Sequence, residues 1–222
     1  MADTNVSAAE HDVGLKHHFD DSGQQYESAT LGMWVFLLTE IMFFGGMFGS
    51  YTVYRNLYPE AFASTSRFMN LTLGATNTAV LICSSLTMAL AVRSARLGAK
   101  KKLIFFLVST LILGIVFLSI KYVEYHEKWV DHHIPGPGFH YDLPQYYHQA
   151  QILFFLYFAM TGMHALHMIV GAGLLTTLIV MASRNRFSAQ WNTPVDMIGL
   201  YWHFVDIVWI FLFPLLYLIG NH

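Results

Sequence analysis

Six polar side chains stand out inside the long apolar runs of this chain, and their types are those of proton transfer and metal ligation: Glu40, Asn77, His164, His167, His203 and Asp206. An acid and imidazoles can pass a proton between them. In hydrocarbon they are also costly. A charged side chain at the bilayer centre costs about 2.5 to 3.5 kcal/mol on insertion scales, so each such residue needs a partner or a role. Two pairs share a spacing of three: His164 with His167, and His203 with Asp206. Each pair therefore projects from one helix face about one turn apart, toward the bundle interior, a lipid headgroup or a partner subunit. Glu40 lies nine residues into the apolar run that begins at Leu31, about 14 Å deep at 1.5 Å per residue. Counted in the same way from the ends of their own runs, Asp206 is about 14 Å deep, His203 about 9 Å and His167 about 21 Å. Depth alone thus makes Asp206 and His203 the expected partners of Glu40.

Imidazole also ligates haem iron, copper and zinc, which gives the histidines a second reading. Two histidines one turn apart cannot lie trans across a haem, and zinc would have to draw on Glu40, His203 or Asp206 for further ligands. Cys83 is the sole cysteine and sits in an apolar run, so this chain alone supplies neither a disulfide nor a thiolate site. No metal ligand and no catalytic residue is assigned. A stand-alone transporter would show interrupted half-helices or an inverted repeat, and neither is visible. Interhelical hydrogen bonding, about 0.6 and up to ~2 kcal/mol per contact, accounts for polar residues with no other task.

The elements that must hold these residues follow from composition. Of 222 residues, 55% are apolar and only 12% charged, and the mean hydropathy is +0.45, the profile of an integral membrane protein. The formal charge of -2 leaves no footprint for nucleic acid. Five apolar segments, at about 31–54, 71–92, 103–122, 152–181 and 197–219, are each long enough to cross a bilayer as a helix. None alternates as a barrel strand does, so the fold expected is an all-α bundle of five transmembrane helices in one domain, 30–222, behind a polar tail, 1–29. The tail carries a His17-His18 pair and lacks the apolar core of a signal peptide. Arg93, Arg96, Lys100, Lys101 and Lys102 crowd the second connection and Arg184 and Arg186 the fourth; with Lys16 they outnumber Arg55, Arg67, Lys121 and Lys128 on the opposite face. The basic side is the cytoplasmic one by the positive-inside rule, which puts the N-terminus inside and the C-terminus outside. The same five basic residues are candidates for anionic lipid headgroups. Gly162, Gly171 and Gly173 are expected to let helices approach closely, and Trp129, Trp191, Tyr201 and Trp202 to anchor span ends at the interface. The connection 123–149, with Pro135-Gly136-Pro137-Gly138, reads as an external cap, a docking surface or a plain linker.

Three stretches then carry a resemblance: Gly32-Met33-Trp34-Val35-Phe36-Leu37 running into Thr39-Glu40-Ile41-Met42-Phe43-Phe44, Thr161-Gly162-Met163-His164-Ala165-Leu166-His167 with Gly171, and Tyr201-Trp202-His203-Phe204-Val205-Asp206. Together they resemble subunit III of the haem-copper oxidases in its short five-helix bacterial form. The resemblance runs from about Tyr26 to the C-terminus. It implies a non-catalytic subunit beside the haem- and copper-bearing subunit I, with subunit II and other respiratory-complex chains as further partners, in the bacterial inner membrane. No redox cofactor would be held by this chain. The acid matching Glu40 would be the carbodiimide-reactive carboxylate, a V-shaped cleft would hold phospholipid, and the subunit would support proton uptake and durable turnover. Trp34, Asn77, His164, His167, His203 and Asp206 would make interior, lipid or partner contacts. Asp196 stands where the family often has Glu. Cytochrome c oxidase, with cytochrome c as substrate of the complex, is the branch expected. Quinol oxidase subunit III, a nitric oxide reductase accessory protein, and an independent haem- or metal-binding membrane protein are the alternatives.

Overall fold

A computed structural model describes residues 19–66, 69–136, 139, 141, 144–187 and 191–218. The tail up to residue 18, including Lys16, His17 and His18, lies outside the described residues, as do Arg67, Pro137 and Gly138. Five long helices carry the chain across: α1 (Ser22–Leu57), α3 (Leu71–Arg96), α4 (Lys100–Val130), α5 (Tyr147–Ser183) and α6 (Thr193–Phe213), with the short α2 (Pro59–Ser66) between the first two. All five crossing helices are long and apolar enough to span a membrane. They begin earlier or end later than hydropathy indicates. Asp21 caps α1 by accepting from the Gln24 N–H at 2.6 Å, so the last residues of the expected tail are helical. The helix α4 runs eight residues past Tyr122, well into the stretch 123–149 that reads as a loop.

The reason is a heptad rhythm that continues where hydropathy fades. Buried positions of α4 are Leu103, Leu107, Thr110, Gly114, Phe117, Lys121, Glu124 and Lys128, spaced alternately by four and three. On α3 the rhythm is Gly74, Asn77, Leu81, Ser84, Met88, Ala91 and Ala95, and on α5 it includes Thr161, His164, Met168, Gly171, Leu175, Leu178 and Ala182. Such a stripe keeps one face turned to neighbouring helices over its whole length. By contrast α1 buries only Leu37, Phe44 and Tyr51, one residue per heptad, and so packs at the edge of the body formed by α3 to α6.

Trp202 is the centre of that body rather than an interfacial anchor. It is fully buried, its indole N–H donates to Ser84 Oγ on α3 at 3.0 Å, and its ring lies against Gly114 of α4 and Gly171 of α5. A tryptophan this large fits between two helices only because both facing positions lack a Cβ. A Cβ on Gly171 would stand 2.9 Å from the Trp202 ring, and one on Gly114 equally close. Gly162 and Gly173 have no such neighbour. Gly171→Ala is therefore expected to lower stability by about 1 to 3 kcal/mol through overpacking against a ring that cannot swing away, while Gly173→Ala, into open space, should be neutral or mildly stabilising; melting of the purified complex compares the two.

Outside the bundle, α2 and the connection after α4 form a cap. Tyr141 is buried, and its hydroxyl is 3.0 Å from Thr65 Oγ1 and 3.1 Å from Ser64 Oγ, while Tyr146 donates to Glu60 at 2.8 Å. At the other end α3 closes on Gly98, whose positive φ of 65° suits a residue with no Cβ. Pro214, without an N–H to donate, turns the end of α6 into a wide π turn over Pro214–Leu218, and Tyr217 lies buried on it.

Candidate functional site

Glu40 stands at the middle of α1 and meets His167 of α5, not Asp206 or His203. Its Oε2 lies 3.1 Å from His167 Nε2. Depth counting fails because it starts from the hydropathy ends: from Ser22 to Glu40 is 18 residues and from Ser183 back to His167 is 16, about 27 and 24 Å, so the two are level. Asp206, 13 residues from Thr193, is about 20 Å in, and with Ser85 of α3 it lines a separate groove between α3 and α6.

The imidazole is held on three sides. His167 Nδ1 lies 2.8 Å from the Met163 carbonyl, Phe44 packs edge-on with centroids 5.4 Å apart, and the Tyr201 ring stacks on it at 6.5 Å, while the Tyr201 hydroxyl donates to the His167 backbone carbonyl at 2.9 Å. A carbonyl only accepts, so Nδ1 carries a hydrogen and Nε2 is the nitrogen that faces the acid. A carboxylate and a bare Nε2 lone pair would repel at this distance. One proton must therefore lie between Glu40 and His167, as a neutral acid donating to imidazole or as imidazolium donating to carboxylate. In either form the pair has no net charge, which answers the cost of placing an acid in hydrocarbon. The pair is 20% and 14% exposed at Glu40 and His167, so it remains within reach of lipid or of a partner subunit.

Apolar grooves flank the pair. Between α1 and α6 a groove of about 460 Å³ is lined by Trp34, Ile41, Phe48, Phe204 and Phe211, and Trp34 is 56% exposed along it. Between α1 and α5 a second, of about 340 Å³, takes in Phe36, His167, Val170 and Tyr201. Both are sized and lined for acyl chains.

His164 and His167, expected on one face, serve different neighbours. Three residues turn a helix by 300°, and that 60° offset is enough to send His164 into the core and His167 to α1. His164 is buried between the Phe117 and Trp209 rings with no hydrogen-bond partner on either nitrogen among the described residues. The Asn77 side chain, also buried, has no hydrogen-bond partner among the described residues either. His203 binds Ser85 through Nδ1 at 2.8 Å, with Asp206 one turn on. Among the described residues no three of His, Cys, Asp or Glu gather as metal ligands.

At the basic end the candidates divide. Arg96 pairs with Asp196 at 3.3 Å and Lys100 donates to the Ser183 carbonyl at 2.9 Å and to Asn185, so these two tie helix ends together. Arg93, Lys101 and Lys102 are exposed. Replacing Lys101 and Lys102 with glutamine should lower co-purified anionic lipid, at about 1 kcal/mol per charge, whereas Arg96→Gln should leave lipid content unchanged; lipid extraction and quantification of the purified complex reads both.

One polar cluster was missed by sequence reasoning. Lys121 and Glu124, 3% and 0% exposed, form an ion pair at 2.9 Å inside the bundle, with Tyr157 of α5 and Tyr217 of the π turn closing around it. Lys121 and Lys128, counted with the outer face in the charge balance, are both buried on α4. Their signal was the heptad, which places 121, 124 and 128 in register with Phe117.

Comparison with known proteins gives consistent matches. A family profile described as "Cytochrome c oxidase subunit III" matches residues 144–221. "Cytochrome bo(3) ubiquinol oxidase subunit 3" of Pseudomonas aeruginosa is 34% identical over 213 residues, 95% of this chain and 93% of the relative. "Probable quinol oxidase subunit 3" of Staphylococcus aureus is 27% identical over 202 residues, 90% of this chain and 94% of the relative.

Proposed function

We propose, since this chain belongs to the subunit III family of the haem-copper oxidases, that it is the accessory third subunit of a bacterial inner-membrane oxidase whose electron donor is a quinol. It is a multi-pass membrane protein and a subunit of an oxidoreductase complex, associated with the oxidase's other subunits. In this reading haem and copper belong to the partner subunits, and this chain holds a proton-binding pair and lipid. The observation that carries the reading is the Glu40 to His167 contact at 3.1 Å near the middle of α1, on a helix that stands off from its bundle with an apolar groove on either side. Such a pair can pass its shared proton between carboxyl and imidazole without leaving net charge in hydrocarbon, and the grooves can hold phospholipid chains against it. Quinol as donor is supported by similarity to relatives named as quinol oxidase subunits over nearly their whole length.

Cytochrome c as donor, the branch expected from sequence, is the second reading, favoured by the description of the profile over residues 144–221. Parallel assays separate the two. The purified complex should oxidise a short-chain ubiquinol in the presence of oxygen and be inert toward reduced cytochrome c; the reverse pattern would overturn the quinol reading. In the same assay Glu40→Ala should leave the initial rate near that of the unaltered complex and shorten its active lifetime several-fold. An equal loss of initial rate would place Glu40 in the main reaction path instead.

A further inference from the structure

On the side of α6 away from α1 lies a groove that none of the above uses. It runs between α3 and α6, holds about 420 Å³, and is walled by Leu81, Ile82, Leu86, Ala89, Ile207 and Ile210, with Ser85, His203 and Asp206 as its only polar members. Ile82, Leu86, Ile207 and Ile210 are each about half exposed, so the groove opens on the membrane-facing surface. Asp206 is 3% exposed and lines the groove, and the Ser85 hydroxyl, the one polar group that interacts with its carboxylate among the described residues, makes no well-formed hydrogen bond to either oxygen. The Ser85 hydroxyl beside it is engaged with His203 Nδ1 at 2.8 Å, leaving His203 Nε2 as the ring nitrogen available to a ligand. A buried polar group without a well-formed hydrogen bond is rare enough in native proteins to call for an explanation.

We infer that this groove binds the hydroxylated ring of a lipid-soluble quinol, with Asp206 and His203 receiving its hydroxyl groups and the aliphatic walls holding the ring and the start of its tail. Depth selects the occupant. Asp206 is 13 residues from Thr193 and 12 from Leu218, and Ser85 is 11 from Arg96, so the polar corner lies about 16 to 20 Å from either end, at mid-membrane. A phospholipid headgroup remains at the interface, about 15 Å away from that level. A quinol carries its hydroxyl donors into the hydrocarbon, and its flat ring suits a cleft of this volume with few polar points. The inference rests on the quinol reading of the donor for the presence of the ligand in the same complex, and it adds a binding site on this chain, with no electron transfer assigned to it.

The test uses the intact oxidase complex and a photoreactive azido-ubiquinol. Illumination should label peptides of this chain from α3 or α6 near Ser85 or Asp206. Asp206→Leu, which removes the acceptor, and Ala89→Phe, which fills the groove without touching the polar corner, should each reduce that label at least fivefold while the chain still co-purifies in full amount. No label on this chain would overturn the site, as would a label insensitive to both variants. A crosslink from this groove to a helix of another subunit would also overturn it, identifying a partner helix as the occupant. Donor and site fail separately: labelling at the groove in a complex that oxidises only cytochrome c would sink the donor reading alone, and quinol turnover without labelling here would sink the site alone.

Discussion

Glu124→Ala should lower the stability of the folded chain by about 3 to 5 kcal/mol, because it leaves a lysine charge buried without its counter-ion. The wild-type arrangement is closed. Lys121 Nζ has three hydrogens and places them on Glu124 Oε2 at 2.9 Å, on the Tyr217 hydroxyl at 3.0 Å and on the Tyr157 hydroxyl at 3.2 Å. Both tyrosines then donate to Glu124 Oε1, Tyr157 at 2.7 Å. Every donor has an acceptor, and the ammonium also lies 5.1 to 5.7 Å from the ring centres of Tyr125, Tyr157, Trp209 and Tyr217, a cation–π environment. Removing the carboxylate orphans one cation and two hydroxyl donors at once. Removing both charges is a different matter: Lys121→Met with Glu124→Leu should be close to neutral, since a buried ion pair is often matched by apolar side chains of similar volume. The difference between the sum of the single losses and the double-variant loss is the coupling. Melting of the purified complex gives all four corners of the cycle, and strictly additive losses would show that the cluster does not act as a unit.

That cluster also marks where legibility in the sequence ended. Five crossing helices follow from apolar run length, and the need of Glu40 for a partner follows from its place in one. Lys121 falls at the end of the apolar run 103–122 and counts with the outer face, because average hydropathy fades at a charge, whereas the four-and-three spacing from Leu103 to Lys128 continues through it and turns it inward. Rhythm was the better signal. Trp202 reads as an anchor from its type and its place near the start of the run 197–219, though Gly114 and Gly171, the two positions that admit its ring, sit at heptad places on α4 and α5. The identity of Glu40's partner was not readable. It depends on the rotation of α5 about its own axis and on helix ends set by Asp21 at one terminus and by Ser183 at the other, neither of which hydropathy reports.

His167→Leu should weaken the docking of α1 by about 2.5 to 3.5 kcal/mol, the cost of leaving an acid at mid-membrane with nothing to share its proton. The effect should exceed that of Glu40→Ala, which orphans only the Nε2 of an imidazole still held by Met163 and Phe44, about 1 to 3 kcal/mol. Glu40→Gln should be milder than either, because an amide N–H can donate to the lone pair that Nε2 presents. This ordering follows from the fixed tautomer. If Nδ1 were free to lose its hydrogen, Nε2 could donate to a carboxylate from a neutral ring, and glutamine would then serve equally well through its oxygen. The double variant Glu40→Leu with His167→Leu should recover most of the loss, since two apolar side chains between α1 and α5 leave nothing unpaired. Because α1 is held at the edge of the bundle by few buried residues, the loss should be local. The readouts are protease access to α1 in detergent, retention of the chain in the complex, and active lifetime under turnover. Full protection of α1 in His167→Leu would mean that another group compensates Glu40, and a double variant as weak as His167→Leu alone would mean that the pair serves packing rather than proton sharing.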